Sequence, residues 1–186
     1  AGHFADVVGM IGSRIGLQGR DLPGRRLRDM AGFSETDPRD DGETLEKLRA
    51  GLIVSCQPVV GGPLDRPEIV AALALAALDG GAVGLRIEGL ANLRAVRAVT
   101  DAPIIGLIKR DMDGFVPRIT PTLAEVEALV AEGADIIAVD ATDRHRPVPV
   151  AELVAAVLSG GRIAMADCAA SEEARAALLA GARIIG

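Results

Sequence analysis

Three short stretches repeat one instruction along the chain: Gly80-Gly-Ala-Val-Gly-Leu85, Gly133-Ala-Asp-Ile-Ile137 and Gly181-Ala-Arg-Ile-Ile185. In each, glycine stops a helix and an apolar run of strand length begins. Runs this continuously apolar suit strands covered on both faces, the usual condition of a parallel sheet. Helices must then lie between the strands, because parallel neighbours need a long crossover.

The rest of the chain fits that rhythm. Strands are predicted at Gly51–Cys56, Ala82–Ile87, Pro103–Ile108, Asp135–Val139 and Arg162–Ala166, with a sixth begun at Arg183–Ile185. Helices are predicted at Pro67–Leu78, where Ile69, Leu73, Ala76 and Ala77 share a face, and at Leu90–Val99 and Val150–Leu158. Thr122 and Glu125 form a capping box ahead of Leu123, Val126, Leu129 and Val130. Ser171 is the predicted N-cap of a last helix, with Glu172 and Glu173 beside its positive end.

Strands alternating with helices close either as an open doubly wound sheet or as a (β/α)8 barrel. The first strand is followed by Cys56-Gln57-Pro58 and not by a glycine-rich dinucleotide fingerprint, which favours the barrel. A barrel needs two strands beyond the sixth. The expectation is therefore an α/β chain forming a (β/α)8 TIM barrel truncated after about six strands. Residues 45–186 would be the partial barrel and residues 1–44 an extension or linker of unassigned role.

Within that extension Val7, Val8, Met10, Ile11, Ile15 and Leu17 could line one side of a short, glycine-weakened helix. Arg20, Arg25, Arg26 and Arg28 read as a solvated basic cluster, and 34–42 as an acidic linker. A further short helix is predicted over Glu43–Arg49.

Composition removes several functions. The chain of 186 residues carries a net charge of -6 and only 2% aromatics, which argues against gripping a nucleic-acid backbone or stacking on its bases. No apolar run approaches a membrane span. Cys56 and Cys168 have no metal-ligand spacing and read as small buried residues in a reducing cytoplasm, although the surroundings of Cys168 could lower its thiol pKa. No metal is expected.

One polar residue stands at or just past the end of each of five strands: Gln57, Arg86, Lys109, Asp140 and Asp167. In a barrel all five reach the same mouth, where such folds carry their chemistry. Lys109, after Pro103-Ile-Ile-Gly-Leu-Ile108, is the candidate proton shuttle. Apolar neighbours or the charges of Arg86 and Arg110 would destabilise its ammonium. Against this stand plainer roles: a rim salt bridge for Arg86, turn capping for Asp140 and Asp167, a bond to loop backbone for Gln57.

Taken in order, Leu52-Ile-Val-Ser-Cys-Gln57, Gly62-Pro-Leu64, Gly80 to Arg86, Ile105-Gly-Leu-Ile-Lys-Arg110, Ile119-Thr-Pro-Thr122, Ala134 to Thr142 and Ala164-Met-Ala-Asp167 resemble the N-acylglucosamine-6-phosphate 2-epimerase family. The resemblance covers about Leu48 to Gly186. It implies interconversion of N-acetylmannosamine 6-phosphate and N-acetylglucosamine 6-phosphate by proton transfer at C2, without a cofactor. Lys109 would be the acid/base, and Gln57, Arg86, Asp167 and, less directly, Asp140 would line the sugar site. The family's catalytic glutamate and phosphate grip fall in later strands and loops, so this chain alone is expected to turn over little. The family usually has basic residues where Asp143 and His145 stand; His145 reads as a loop substitution, and His3 has no role. The alternatives are another sugar-phosphate barrel enzyme, or a non-catalytic half-barrel that self-associates through an open sheet edge.

Overall fold

A computed structural model describes residues 10–11 and 41–186. One seven-stranded sheet runs through it in sequence order: β1 (Met10–Ile11), β2 (Leu52–Cys56), β3 (Ala82–Glu88), β4 (Ile104–Leu107), β5 (Ile136–Asp140), β6 (Ile163–Asp167) and β7 (Ile184–Ile185). β2 to β7 are parallel; β1 lies antiparallel on β2. Between them run α2 (Pro67–Asp79), α3 (Leu90–Arg97), α4 (Leu123–Ala131), α5 (Val150–Ser159) and α6 (Ser171–Ala180), with α1 (Asp41–Leu48) ahead of β2. A doubly wound sheet reverses strand order at its switch point. Here the order never reverses, as in the arc of a (β/α)8 barrel.

The arc is curled. A flat sheet would hold β3 and β6 about 14 Å apart. Yet Arg86 of β3 and Asp167 of β6 meet, Nη2 to Oδ2, at 2.5 Å. Curling gives the sheet an inside and an outside, and the alternation of side chains sorts the residues between them. On the outside Leu85, Ile87, Ile104, Ile137, Val139 and Ala164 are buried under Val70, Leu93, Val126, Leu129, Leu153 and Val157 of the helices. On the inside Ile105, Leu107, Ile136, Ala138, Ile163, Met165 and Ile184 form a second core.

α1 plugs the bottom of that inner core. Leu48 is buried there with Leu45 beside it. The fit needs Gly84, where a Cβ would come within 2.5 Å of Leu48 Cδ2. The helix therefore starts at Asp41, inside the segment read from sequence as linker and extension. Met10 and Ile11 form an edge strand here and not part of a helix. The other residues of that predicted helix, the arginine cluster, His3 and positions 34–40 lie outside the described residues.

Most elements fall within two residues of their expected bounds. Asp140 and Asp167 end their strands, as expected, each one residue past the predicted strand bounds. One detail differs. The N-cap of α6 is Ala170, not Ser171. Alanine offers no acceptor, so Glu173 reaches back and accepts the N–H groups of Ala169 at 2.7 Å and Ala170 at 2.9 Å.

Candidate functional site at the strand ends

Where the inner face reaches the carboxyl ends of the strands, it turns from apolar to charged. In β4 the alternation that buries Ile105 and Leu107 inside carries on to Lys109. The lysine starts an excursion that folds back on itself. Lys109 pairs with Ile119, Arg110 donates its N–H to Arg118 O, and Thr120 donates to Ile108 O at 2.8 Å. Thr120 is buried with φ at 46°, a left-handed conformation strained for a β-branched residue. Its Oγ1 accepts the Ile108 N–H at 3.3 Å, so the strain sits one residue from Lys109 and helps hold it.

Lys109 is exposed at the mouth, and its amine is still pushed below the ordinary lysine value. Loss of water through partial burial is the main cause. Glu88 opposes the shift, and the positive charges of Arg86 and Arg118 add to it. Arg110, expected to crowd the amine, instead turns outward onto the buried Glu125. The same Glu125 accepts the Thr122 N–H at 3.1 Å and completes the capping box of α4.

Arg86 is buried and pairs with Asp167. Its Nε–H is buried without a hydrogen-bond partner among the described residues. The Asp167 carboxyl is pushed up by burial, against the pull of Arg86 and with the push of Asp140. A Cβ on Gly186, just past β7, would come 2.7 Å from Asp167 Oδ1, so a larger residue there would make the carboxylate shift.

Asp140 is the register partner of Asp167. Its Oδ1 accepts from Thr142 N at 3.0 Å, Thr142 Oγ1 at 2.6 Å and Arg146 Nη2 at 3.2 Å. Arg146 also bonds the main-chain oxygens of Asp140 and Thr142. Gln57, just past β2, donates from Nε2 to Ser55 Oγ at 3.3 Å, and Ser55 is the register partner of Arg86.

The structure thus brings Arg86, Asp167 and Asp140 together, sets Lys109 in the field of Arg86, and places Gln57 two residues beyond the Arg86 register. Reading the strand ends one residue at a time passed over Glu88. Its signal was the alternation itself, since Glu88 stands two places beyond Arg86 on the same face. His145 stacks on Phe115 with ring centroids 4.9 Å apart, joining the excursion after β4 to the loop after β5. Cys168 does not have a lowered thiol pKa: burial and the charges of Glu173, Asp167 and Asp140 raise it, and burial raises that of Cys56.

A cavity of about 580 Å³ lies elsewhere, between the loop after β5 and α6, bordered by Thr142, Arg144, Glu172 and Ala176. None of Lys109, Arg86 and Asp167 lines it. No group of three His, Cys, Asp or Glu residues able to hold a metal occurs among the described residues. No helix among them is long and apolar enough to cross a membrane.

Comparison with known proteins matches the family described as "Putative N-acetylmannosamine-6-phosphate epimerase" over residues 70–186. Proteins of Escherichia coli and Escherichia fergusonii named "Putative N-acetylmannosamine-6-phosphate 2-epimerase" are each 57% identical over 136 residues. That match takes in 73% of this chain and 59% of each relative, so the chain spans a little over half of their length. Among solved structures, the N-acetylmannosamine-6-phosphate 2-epimerase of Clostridium perfringens superimposes with a TM-score of 0.75 at 37% identity, over 83% of this chain and 67% of that one. A structure titled "QR15, an Aldolase" shares the fold alone, with a TM-score of 0.50 at 21% identity over 71% of this chain and 66% of the other. On the extent of these matches, the chain belongs to the N-acetylmannosamine-6-phosphate epimerase family.

Proposed function

We propose that these strand ends form the lysine side of an active site that epimerises C2 of an N-acyl amino-sugar 6-phosphate. The observation that carries the reading is Lys109: an amine on the inner face at the mouth, depressed by dehydration and by Arg86 and Arg118. Epimerisation removes the C2 proton beside a carbonyl and returns one to the opposite face. A group that takes or gives that proton works best with a pKa near the working pH. The Lys109 amine has been moved in that direction.

Arg86 would stabilise negative charge on the carbonyl or acetamido oxygen through its guanidinium charge. Asp167 and Asp140 would accept sugar hydroxyls, and Gln57 would offer both a donor and an acceptor. The names borne by the relatives point to N-acetylmannosamine 6-phosphate and N-acetylglucosamine 6-phosphate as the pair interconverted. Two free cysteines and a phosphorylated sugar suit a reducing cytoplasm.

The test joins the chain in frame to the carboxyl-terminal remainder of the Escherichia coli relative. The product is then followed by proton NMR in deuterated water with N-acetylmannosamine 6-phosphate. Appearance of N-acetylglucosamine 6-phosphate deuterated at C2 is expected. Lys109→Ala should cut its rate by a factor of about a thousand or more. Near-normal exchange in Lys109→Ala would remove the lysine from the reaction.

A further inference from the structure

Glu88 has no part in the reading above, yet it is built against Lys109. It closes β3 on the inner face and lies in register with Leu107. Its backbone is pinned there. Asn92 Nδ2 donates to Glu88 O at 3.0 Å, and Gly89, turned to φ 86°, donates its N–H to Leu107 O at 2.9 Å. From that fixed point Glu88 Oε1 accepts the main-chain N–H of Lys109 at 3.4 Å.

We propose that Glu88 is a positioning residue for Lys109. Its carboxylate steadies the main chain where β4 passes into the excursion and keeps one negative charge beside the amine. A bond of 3.4 Å is weak alone. A charge acts over a longer distance, and here it acts across a partly dehydrated rim. The inference rests on Lys109 being the proton carrier at this mouth.

The surrounding charges give the carboxylate its purpose. Arg86 from β3 and Arg118 from the return arm both bear on the amine with positive charge. Arg110 is engaged by Glu125 and Asp111 by Arg118. Asp167 is engaged by Arg86 and Asp140 by Arg146. Glu88 is the carboxylate that bears on the amine in the stabilising sense. An epimerase lysine has to hold the proton as well as take it. When neutral Nζ accepts the C2 proton, the electron pair of the C–H bond passes toward the carbonyl. The ammonium so formed must persist until the proton is returned or exchanged. Two arginines and dehydration alone would empty it early; Glu88 keeps the two forms in balance.

The test reads the Lys109 amine directly in the 186-residue chain, without turnover. The rate of its acetylation by acetic anhydride is followed against pH by peptide mass spectrometry, with Lys47 as internal reference. In Glu88→Gln the midpoint for Lys109 should fall by about 0.5 unit or more, with Lys47 unmoved. Glu88→Asp keeps the charge on a shorter arm and should recover most of the native midpoint. An unmoved midpoint in folded Glu88→Gln, or equal shifts in the two variants, overturns the proposal. Should Glu88→Gln fail to fold, Glu88→Ala takes its place: the same fall supports the proposal and an unmoved midpoint refutes it. Because acetylation does not depend on catalysis, a normal shift beside an active Lys109→Ala enzyme would sink the proton-carrier reading and leave the electrostatic one standing.

Discussion

The tops of β5 and β6 carry the same residue at the same level, Asp140 against Asp167, and treat it in opposite ways. The loop after β5 is fastened from several sides. Thr142 and Arg146 bind Asp140, and His145 stacks on Phe115. Glu173 of α6 accepts the Asp143 N–H at 2.6 Å. Those main-chain bonds hold the Glu173 carboxyl below its ordinary value. Asp167 has no such local support and reaches across the barrel to Arg86. A strand-end carboxylate is therefore not assigned by its position. What matters is which donors compete for its oxygens. Asp140 is largely spent on shaping its own loop, whereas Asp167 and Arg86 neutralise each other over the space where a ligand would lie.

If that contrast is right, the largest difference should come from removing each carboxylate. Asp167→Ala leaves a buried guanidinium unpaired, and urea unfolding should show a loss of about 3 kcal/mol. Asp140→Ala strips acceptors from a buried hydroxyl and N–H but leaves Arg146 two main-chain oxygens, and about 2 kcal/mol is expected. Substrate affinity in the extended protein should follow the same order. Equal losses would break the contrast.

The sequence showed the barrel arc and the five strand-end residues because both follow from short-range rules. Glycine stops, continuous apolar runs and the period of two do not depend on distant partners. What pairs with what does depend on them. Nothing local tells that Arg86 meets Asp167, 81 positions away. Nor does anything local tell that Arg110 turns to Glu125 while Arg118 comes round to Lys109, since both outcomes need the curl and the folded-back excursion. Ser171 failed as a cap for a related reason: Glu173 serves both α6 and the neighbouring loop. The helix α1 was legible as a helix over Glu43–Arg49, but not as the plug of the inner core, because its partners Gly84 and Ile105 belong to other strands.

A smaller effect separates the two aspartates by pH. Burial raises the Asp167 carboxyl above its unfolded value of about 3.9. Below that value the group is protonated in both states and costs nothing. As pH climbs past it, the unfolded chain releases the proton first. Stability is then lost until the folded carboxyl has also ionised, after which the cost is constant. Carboxylates with lowered values, such as Glu173, act in the reverse sense and lose their contribution as pH falls. Asp167→Asn removes only the first effect. The stability of the native chain minus that of Asp167→Asn should therefore decline from about pH 4 upward and then level off. A difference that rises with pH would mean that Arg86 outweighs burial.

The smallest expected effect probes the β5 side alone. Thr142→Val keeps the shape of a buried side chain and deletes the hydroxyl that donates to Asp140 at 2.6 Å. Oδ1 retains the Thr142 N–H and Arg146, so the loop keeps its path, and a loss of about 1 kcal/mol is expected. The Arg86–Asp167 pair should be indifferent. In a double-mutant cycle, Thr142→Val should add to Asp167→Asn without coupling, because the two share no hydrogen-bond partner. Coupling well above about 0.5 kcal/mol would show that the two strand tops form one network, and that Asp140 is as much a part of the cross-barrel arrangement as its register partner.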